Sequence, residues 1–162
     1  LLNRRGFIER AIRCNRENIG KTAYCIFIDL DYLKQINDTF GHAEGDVALR
    51  AISQVLHISS SANDLIGRVG GDEFVGLFVT EDPRFEENFL NEIKTHTMEY
   101  NARSGKPYYV DMSIGIVRFI CEKGLEISTI IAKADQYLYE AKKKRISKAL
   151  RYKPREKNRR NL

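Results

Sequence analysis

The alternation of apolar and polar residues predicts a mixture of helices and strands. Apolar side chains recur at intervals of three and four over residues 6–18, which is typical of an amphipathic helix. Residues 23–28 form a short, continuous apolar run rich in β-branched and aromatic side chains, which indicates a buried central strand. Because Asp29 and Asp31 follow this run, we expect carboxylates at the C-terminal end of the strand.

A glycine pair in the middle of the chain predicts a β-hairpin. Residues 65–69 and 74–79 both read as strands, and a Gly-Gly-Asp-Glu sequence separates them at residues 70–73. Paired glycines between strand-like runs favour a tight turn of the primed type, whose backbone needs a positive φ. The hairpin is therefore expected to carry two carboxylates at its tip.

The other elements complete an α+β pattern. Asp46 is expected to open and cap a helix that runs to Ile58. The remaining patterns are a strand over residues 108–119 and helices over residues 85–93 and 127–141. The order helix, strand, two helical pieces, hairpin, helix, strand, helix predicts an antiparallel-dominated sheet flanked by helices.

The composition indicates one soluble, folded domain. The chain has 162 residues, of which 43% are hydrophobic and 30% are charged, and it has no apolar run long enough to cross a bilayer. The formal net charge of +5 arises at the end of the chain, where eleven basic residues and one acidic residue lie from Lys142 onward. We interpret this run as a solvated tail and expect neither nucleic acid nor a membrane surface as a partner of this segment.

The cysteines and histidines argue against a zinc site. Cys14, Cys25 and Cys121 include no Cys-x-x-Cys pair, and the three histidines follow no ligand spacing. The cysteines are expected to be reduced, packed thiols in a cytoplasmic protein.

Acidic residues gather at two places that the fold could bring together. Asp29 ends the central strand, and Asp72 and Glu73 lie on the hairpin. If the two strands are neighbours, these acids could supply the one or two carboxylates that Mg²⁺ usually takes from a protein. Spacing alone favours a simpler interpretation, in which Asp29 and Asp31 cap the next helix and the hairpin acids are solvated.

Six short motifs occur in the order typical of one protein family. The central one is Gly-Gly-Asp-Glu-Phe at residues 70–74. The others are L-N-R-R-x-F at residues 2–7, D-x-D-x-L-K-x-x-N-D at residues 29–38, F-G-H-x-x-G-D at residues 40–46, S-I-G at residues 113–115 and A-D-x-x-L-Y-x-A-K at residues 134–142. This ordered set resembles the GGDEF-domain diguanylate cyclases and covers residues 1–145, which leaves residues 146–162 as the basic C-terminal tail.

The resemblance implies a ferredoxin-like fold, similar to the palm of adenylyl cyclases, and a defined reaction. Members of the family condense two GTP molecules into cyclic di-GMP and release two pyrophosphates, through attack of a ribose 3′-OH on the α-phosphate. The resemblance makes Mg²⁺ or Mn²⁺ the expected cofactor, and the implied metal ligands are Asp29, the backbone carbonyl of Leu30, Asp72 and Glu73. Asp72 also matches the position of the general base, with Glu73 beside it.

The resemblance also implies a set of residues that contact GTP. They are Lys34, Asn37, His42, Asp46, Gly70, Gly71 and Lys142. The two lysines match the family's phosphate contacts, and the glycines would let the nucleotide approach the turn closely. Asn37 and Asp46 match the guanine-reading pair. A carboxylate accepts hydrogen bonds from the N1–H and N2–H₂ groups of guanine, which adenine cannot offer together, so GTP is expected over ATP.

Two departures from the family pattern change the expectations. The family's inhibitory product site reads R-x-x-D, but Ser61 occupies the arginine position and only Asp64 is retained. Because serine cannot make the bidentate charged contact of arginine, product inhibition through this site is expected to be weak or absent. At the end of the domain, Arg145 and Ile146 replace the family's glycine and arginine, which leaves one phosphate contact open.

Two functions of different classes remain open, beside a weaker third interpretation in which the basic tail from Lys142 to Arg160 contacts nucleic acid or anionic lipid. The first is an active cyclase that works as a homodimer, since each domain presents one GTP, under the control of an upstream sensor or dimerisation domain in the same chain. The second is a module that binds GTP or cyclic di-GMP without turnover and signals through a partner. The retained acids at positions 29, 72 and 73 favour the enzyme.

Overall fold

The computed structural model describes residues 1–147, and the side chains of residues 145–147 lie outside that description. The strands are β1 (Leu2–Asn3), β2 (Thr22–Leu30), β3 (Leu65–Arg68), β4 (Glu73–Val79) and β5 (Met112–Ile120). The helices are α1 (Arg4–Glu17), α2 (Leu33–Phe40), α3 (His42–Ile58), α4 (Phe85–Arg103) and α5 (Ile127–Ser147). The expected order of elements is confirmed, with β1 as an additional short strand. The expectations for the basic tail and for the side chains of Arg145 and Ile146 lie outside the described residues.

A five-stranded sheet with the order β1-β3-β4-β2-β5 forms the centre of the fold. β2 pairs antiparallel with β4 on one side and with β5 on the other, and β3 pairs antiparallel with β4. Only the short β1 runs parallel to its neighbour, β3, among the paired strands of residues 1–147. The predicted α+β fold with an antiparallel-dominated sheet is therefore confirmed.

Hydrophobic cores lie on both faces of the sheet, because successive side chains of a strand point to opposite faces. In β2, Tyr24, Ile26, Ile28 and Leu30 belong to a first core, which also contains buried residues of α2, α3 and α4. Ala23, Cys25 and Phe27 of β2 belong to a second core, formed with α1 and α5. This double burial explains why β2 reads as a continuous apolar run. No helix within residues 1–147 is both long enough and apolar enough to cross a lipid bilayer.

The backbone of α5 lies directly against β5 at Gly115. A Cβ atom at this position would overlap the carbonyl oxygen of Ala134 and the amide nitrogen of Leu138, and it would lie 3.0 Å from the Leu138 Cα atom. Only glycine therefore allows the helix to approach the strand this closely. The contact matters for the site, because Lys142 lies one helical turn beyond Leu138 on α5.

Several local predictions are wrong. α3 begins at His42, immediately after Gly41 turns the chain with a φ of +92°, so Asp46 lies in the second turn and does not cap the helix. Gly70 and Gly71 are absent from the glycines with positive φ in residues 1–147, so the hairpin turn is not of the primed type. β5 begins at Met112, because the backbone of residues 108–111 is not paired as a strand.

The simpler interpretation of the acids at the end of β2 is also wrong in part. The residue that precedes α2 is Tyr32, which has a left-handed φ of 63° and makes no side-chain capping hydrogen bond. The Asp31 carboxylate instead accepts hydrogen bonds from the Ser113 hydroxyl at 2.8 and 3.0 Å. Asp31 therefore ties the end of β2 to β5.

Candidate active site

The acids of the two clusters meet at one end of the sheet. Asp29 on β2 lies directly opposite Glu73 on β4 in the antiparallel register. The Leu30 amide donates a hydrogen bond to the Asp72 carbonyl oxygen at 3.1 Å, which continues the pairing beyond the last residue of β4. Strand pairing therefore fixes the backbones of all three acids relative to one another.

Lys142 approaches the acids from α5 and pairs with Asp29. Its ammonium lies 2.8 Å from one Asp29 oxygen, and the side-chain exposures are 34% for the lysine and 16% for the aspartate. Burial raises the pKa of the Asp29 carboxyl; Lys142 opposes this shift, and the negative charges of Asp72 and Asp135 add to it. The site thus holds a partly desolvated carboxylate with one positive neighbour.

Glu73 experiences the same crowding of negative charge. Burial raises the pKa of its carboxyl, and repulsion from Asp72, Asp135 and Asp29 raises it further. Carboxylates that repel one another in this way are arranged to receive a positive charge. Asp135 belongs to the A-D-x-x-L-Y-x-A-K motif, but the motif alone does not predict that its charge acts on the acids of β2 and the hairpin.

The two glycines in the turn between β3 and β4 have different surroundings. The amides of Val69 and Gly70 both donate to the Glu73 carbonyl oxygen, at 2.9 and 3.3 Å, which closes the turn. A Cβ atom at Gly70 would overlap the Glu73 carboxylate, whereas a Cβ atom at Gly71 would meet no atom of the described residues within 4 Å. Gly70 therefore makes room for Glu73 inside the protein, and Gly71 keeps the outer side of the turn open.

The helix pair α2–α3 carries the residues expected to read the base. Asn37 is half-buried on α2, and its side-chain oxygen packs so closely against Gly45 of α3 that a Cβ atom there would overlap it. Asp46 and His42 are exposed on α3. Asn37 thus makes a close contact between the two helices, and Asp46 follows Gly45, its contact partner, in the chain.

The chain matches a single family model over nearly its whole length. The model, described as the GGDEF domain of diguanylate cyclases, matches residues 1–148. The chain belongs to the GGDEF family. The resemblance drawn from the six motifs is therefore confirmed.

Curated relatives of this GGDEF domain are diguanylate cyclases. The chain is 35% identical over 126 residues to the probable diguanylate cyclase DgcT of Escherichia coli strain K12, which covers 75% of the chain and 28% of the relative. It is 32% identical over 152 residues to the diguanylate cyclase DosC of the same organism, which covers 89% of the chain and 32% of the relative. The chain thus spans about a third of the length of the relatives it matches.

Solved GGDEF structures share the fold. The diguanylate cyclase SiaD of Pseudomonas aeruginosa, solved with its activator SiaC, superposes with a TM-score of 0.77 at 29% identity, over 88% of this chain and 55% of that one. The GGDEF domain of DgcB from Caulobacter crescentus, solved with c-di-GMP, gives 0.76 at 27% identity, over 89% of this chain and 86% of that one. These neighbours confirm the palm-like α+β architecture.

The oxygen atoms of this GGDEF site suit a hard divalent cation. One Asp29 oxygen is buried without a hydrogen-bond partner among the described residues, while the other binds Lys142. Within residues 1–147, no three acidic, histidine or cysteine side chains are grouped closely enough to hold a metal alone. This arrangement fits Mg²⁺, which takes one or two carboxylates from the protein and the other oxygens from phosphates and water.

Lys34 and Ser61, which the sequence analysis considers, contact aspartates outside the acidic cluster of Asp29, Asp72 and Glu73. Lys34 is exposed on α2 and its ammonium lies 2.8 Å from Asp38 on the same helix. At the opposite end of β3 from the GGDEF turn, both the amide and the hydroxyl of Ser61 donate to one Asp64 oxygen at 2.7 Å. Ser61 therefore engages the one retained acid of the R-x-x-D pattern.

Proposed function

We propose that this chain is the catalytic domain of a diguanylate cyclase, which condenses two GTP molecules into cyclic di-GMP and two pyrophosphates. The observation that carries the proposal is the convergence of Asp29, Asp72, Glu73 and Lys142 at one end of the sheet, in a chain that belongs to the GGDEF family. The activity named for the relatives supports the same conclusion.

The chemistry requires a deprotonated 3′-OH and neutralisation of the triphosphate. Each of two steps forms one bond between a ribose O3′ and an α-phosphorus, breaks the bond from that phosphorus to the departing pyrophosphate, and releases the 3′-OH proton. Asp72, half-exposed beside Asp29, is the residue that would accept this proton. Its backbone is held by the hydrogen bond from Leu30, so the carboxylate starts from a fixed position.

Positive charge for the triphosphate comes from two helices. Lys142 reaches the site from α5, and Lys34 lies in solvent on α2, where the exposed Asp38 is its ion-pair partner among the described residues. Exposed ion pairs of this kind contribute little to stability, so the Lys34–Asp38 pair opposes a phosphate contact only weakly. Both lysines act as point charges toward the phosphates.

Mg²⁺ or Mn²⁺, when bound, neutralises negative charge on the phosphate oxygens and on the leaving pyrophosphate. Asp29, the Leu30 carbonyl, Asp72 and Glu73 are the groups that would hold it. Two observations support this assignment: one buried Asp29 oxygen has no hydrogen-bond partner in residues 1–144, and the acids repel one another.

A homodimer follows from the stoichiometry of the reaction. One domain presents one GTP, so two domains that face each other supply both the nucleophile and the α-phosphate for each step. We also propose that the domain works in the cytoplasm, where GTP is available and where its three free cysteines stay reduced.

The test is incubation of the concentrated chain with GTP and Mg²⁺, beside a fusion that enforces dimerisation, with cyclic di-GMP detected by mass-resolved chromatography. Asp72→Asn should abolish product formation without unfolding the protein, because a half-exposed turn residue carries little of the core. Glu122→Gln is the matched control, since this exposed acid follows β5 at the opposite end of the sheet.

Each outcome is decisive. Product from the wild-type chain or its fusion, lost in Asp72→Asn and retained in Glu122→Gln, supports the cyclase. Nucleotide binding without product from the enforced dimer would instead favour the binding module, for which the replaced arginine of the product site and the altered chain end leave room. Equal product from Asp72→Asn and wild type would contradict the role given to Asp72.

A further inference from the structure

The junction between α2 and α3 needs support from elsewhere in the fold. Gly41 reverses the chain between the two helices with a φ of +92°, and no side chain from the part of the chain that the structure describes caps the start of α3. An uncapped helix start leaves orphan N–H groups and frays readily. Yet this junction sets the distance between Asn37 and Asp46, which lie on different helices.

A buried tyrosine lies at this junction. Tyr108, in the loop that precedes β5, is 1% exposed, and its ring packs against Phe40 at the end of α2 with 5.3 Å between centroids. Its hydroxyl lies 2.7 Å from a carboxylate oxygen of Glu44 and 3.1 Å from the Glu44 carbonyl oxygen, in the first turn of α3. One side chain thus contacts the end of one helix and the start of the next.

Lys106 completes the contact from the same loop. Its ammonium lies 3.0 and 2.9 Å from the two Glu44 carboxylate oxygens. Hydrogen bonds from Lys106 and Tyr108 hold the pKa of the Glu44 carboxyl below its usual range, so the carboxylate is charged at neutral pH. The hydrogen bonds are therefore charge-assisted, which makes them stronger than neutral ones.

We propose that Tyr108, Glu44 and Lys106 form a positioning unit that fixes the angle between α2 and α3, and thereby sets the selectivity of Asn37 and Asp46 for guanine. This inference rests on the proposed function, since it assigns a role within the same GTP site. It adds residues that lie outside the six motifs or, for Glu44, at a variable position within one of them.

These residues act at a distance from the base. Tyr108 is fully buried and cannot reach a bound nucleotide. Glu44 and Asp46 are two positions apart on α3, so their side chains point about 200° apart around the helix axis. Glu44 therefore faces the loop before β5 while Asp46 faces solvent.

Tyr108→Phe tests the unit with the smallest change, because it removes only the hydroxyl and leaves the ring against Phe40. The ligands are the 3′-deoxy analogues of GTP and ATP, which bind but cannot be condensed. Titration calorimetry should show the dissociation constant of the guanine analogue rising about fivefold to tenfold, and that of the adenine analogue changing little. Amide hydrogen exchange over residues 42–46 should also become faster.

The matched control lies at the other end of β2. Glu81 accepts hydrogen bonds from the amide and hydroxyl of Thr22, at 2.8 and 3.2 Å, so Glu81→Gln weakens a comparable carboxylate contact far from the junction. It should leave both dissociation constants unchanged. If Tyr108→Phe does not fold, Lys106→Met provides the same test through the other donor.

The outcomes separate this inference from the function on which it rests. A wild-type chain without preference for the guanine analogue would refute both. A wild-type chain that prefers it, together with a Tyr108→Phe variant that keeps the same ratio of dissociation constants and the same exchange rates, would refute the positioning unit alone.

Discussion

The replacement of Gly115 by alanine is expected to damage both the stability of the domain and the charge balance of its site. The added Cβ atom would overlap the Ala134 carbonyl oxygen and the Leu138 amide nitrogen. These obstacles are backbone atoms, which cannot rotate away as a side chain can. The whole of α5 must therefore move away from β5.

The size of the effect follows from the contact distances. Non-bonded carbon atoms rest about 3.5–4.0 Å apart, so the Leu138 Cα atom alone must retreat by at least roughly 0.5 Å, from its 3.0 Å separation. Overpacking of a core costs about 1–3 kcal/mol, and we expect the upper end because a helix backbone blocks the change. A loss of about 3 kcal/mol lowers the melting temperature of a chain of this size by roughly 6–12 °C.

The assay combines urea unfolding, followed by circular dichroism, with binding of the 3′-deoxy analogue of GTP. We expect Gly115→Ala to remain folded at room temperature and to bind the analogue more weakly, since a shift of α5 lengthens the 2.8 Å Lys142–Asp29 contact. A free energy of unfolding within about 0.5 kcal/mol of wild type, the usual range for harmless surface changes, would refute the argument from backbone contact.

Three further variants test the site by residue. Gly71→Ala should keep wild-type stability, because the added Cβ atom meets no atom within 4 Å in the described part of the chain. It should lose most product formation, because that atom projects where a nucleotide would approach; unchanged product formation would contradict this. Lys142→Met should weaken binding of the GTP analogue about tenfold, as expected for lost hydrogen bonds to charged groups. Lys143 is an exposed neighbour beside Tyr139, and Lys143→Met should leave binding unchanged. Equal effects of the two variants would contradict a specific role of Lys142. Asp46→Ser should reduce the ratio of GTP to ATP analogue affinity by about tenfold or more, and an unaltered ratio would mean that the base is read elsewhere.

The sequence predicts the elements of the fold better than their boundaries. The apolar run of β2 and the helical periodicity of α1 and α5 identify these elements because burial is what the pattern reports. The predicted start of α3 is wrong because Asp46 is a residue type that often caps helices. The helix in fact begins after Gly41, whose backbone conformation the apolar periodicity does not reveal.

For the site, too, some features are predictable from the sequence and others are not. The motifs predict the acids as site residues, and pairing of β2 with β4 brings Asp29 opposite Glu73. Spacing cannot identify Tyr108 or Lys106, because their contacts with Glu44 join positions more than sixty residues apart. It also misassigns the reason for the glycine pair, since Gly70 gives space to the Glu73 carboxylate and does not supply a positive φ.

The sheet that separates the two cores has an evolutionary consequence. The helices that carry Asn37 and Asp46 rest on the first core, and the helix that carries Lys142 rests on the second. Substitutions that repack one core reach the other only through the strands between them. If Asp46 and Lys142 have the proposed roles, the preference for a base and the phosphate contact from α5 can therefore change separately, and the two traits are open to separate selection.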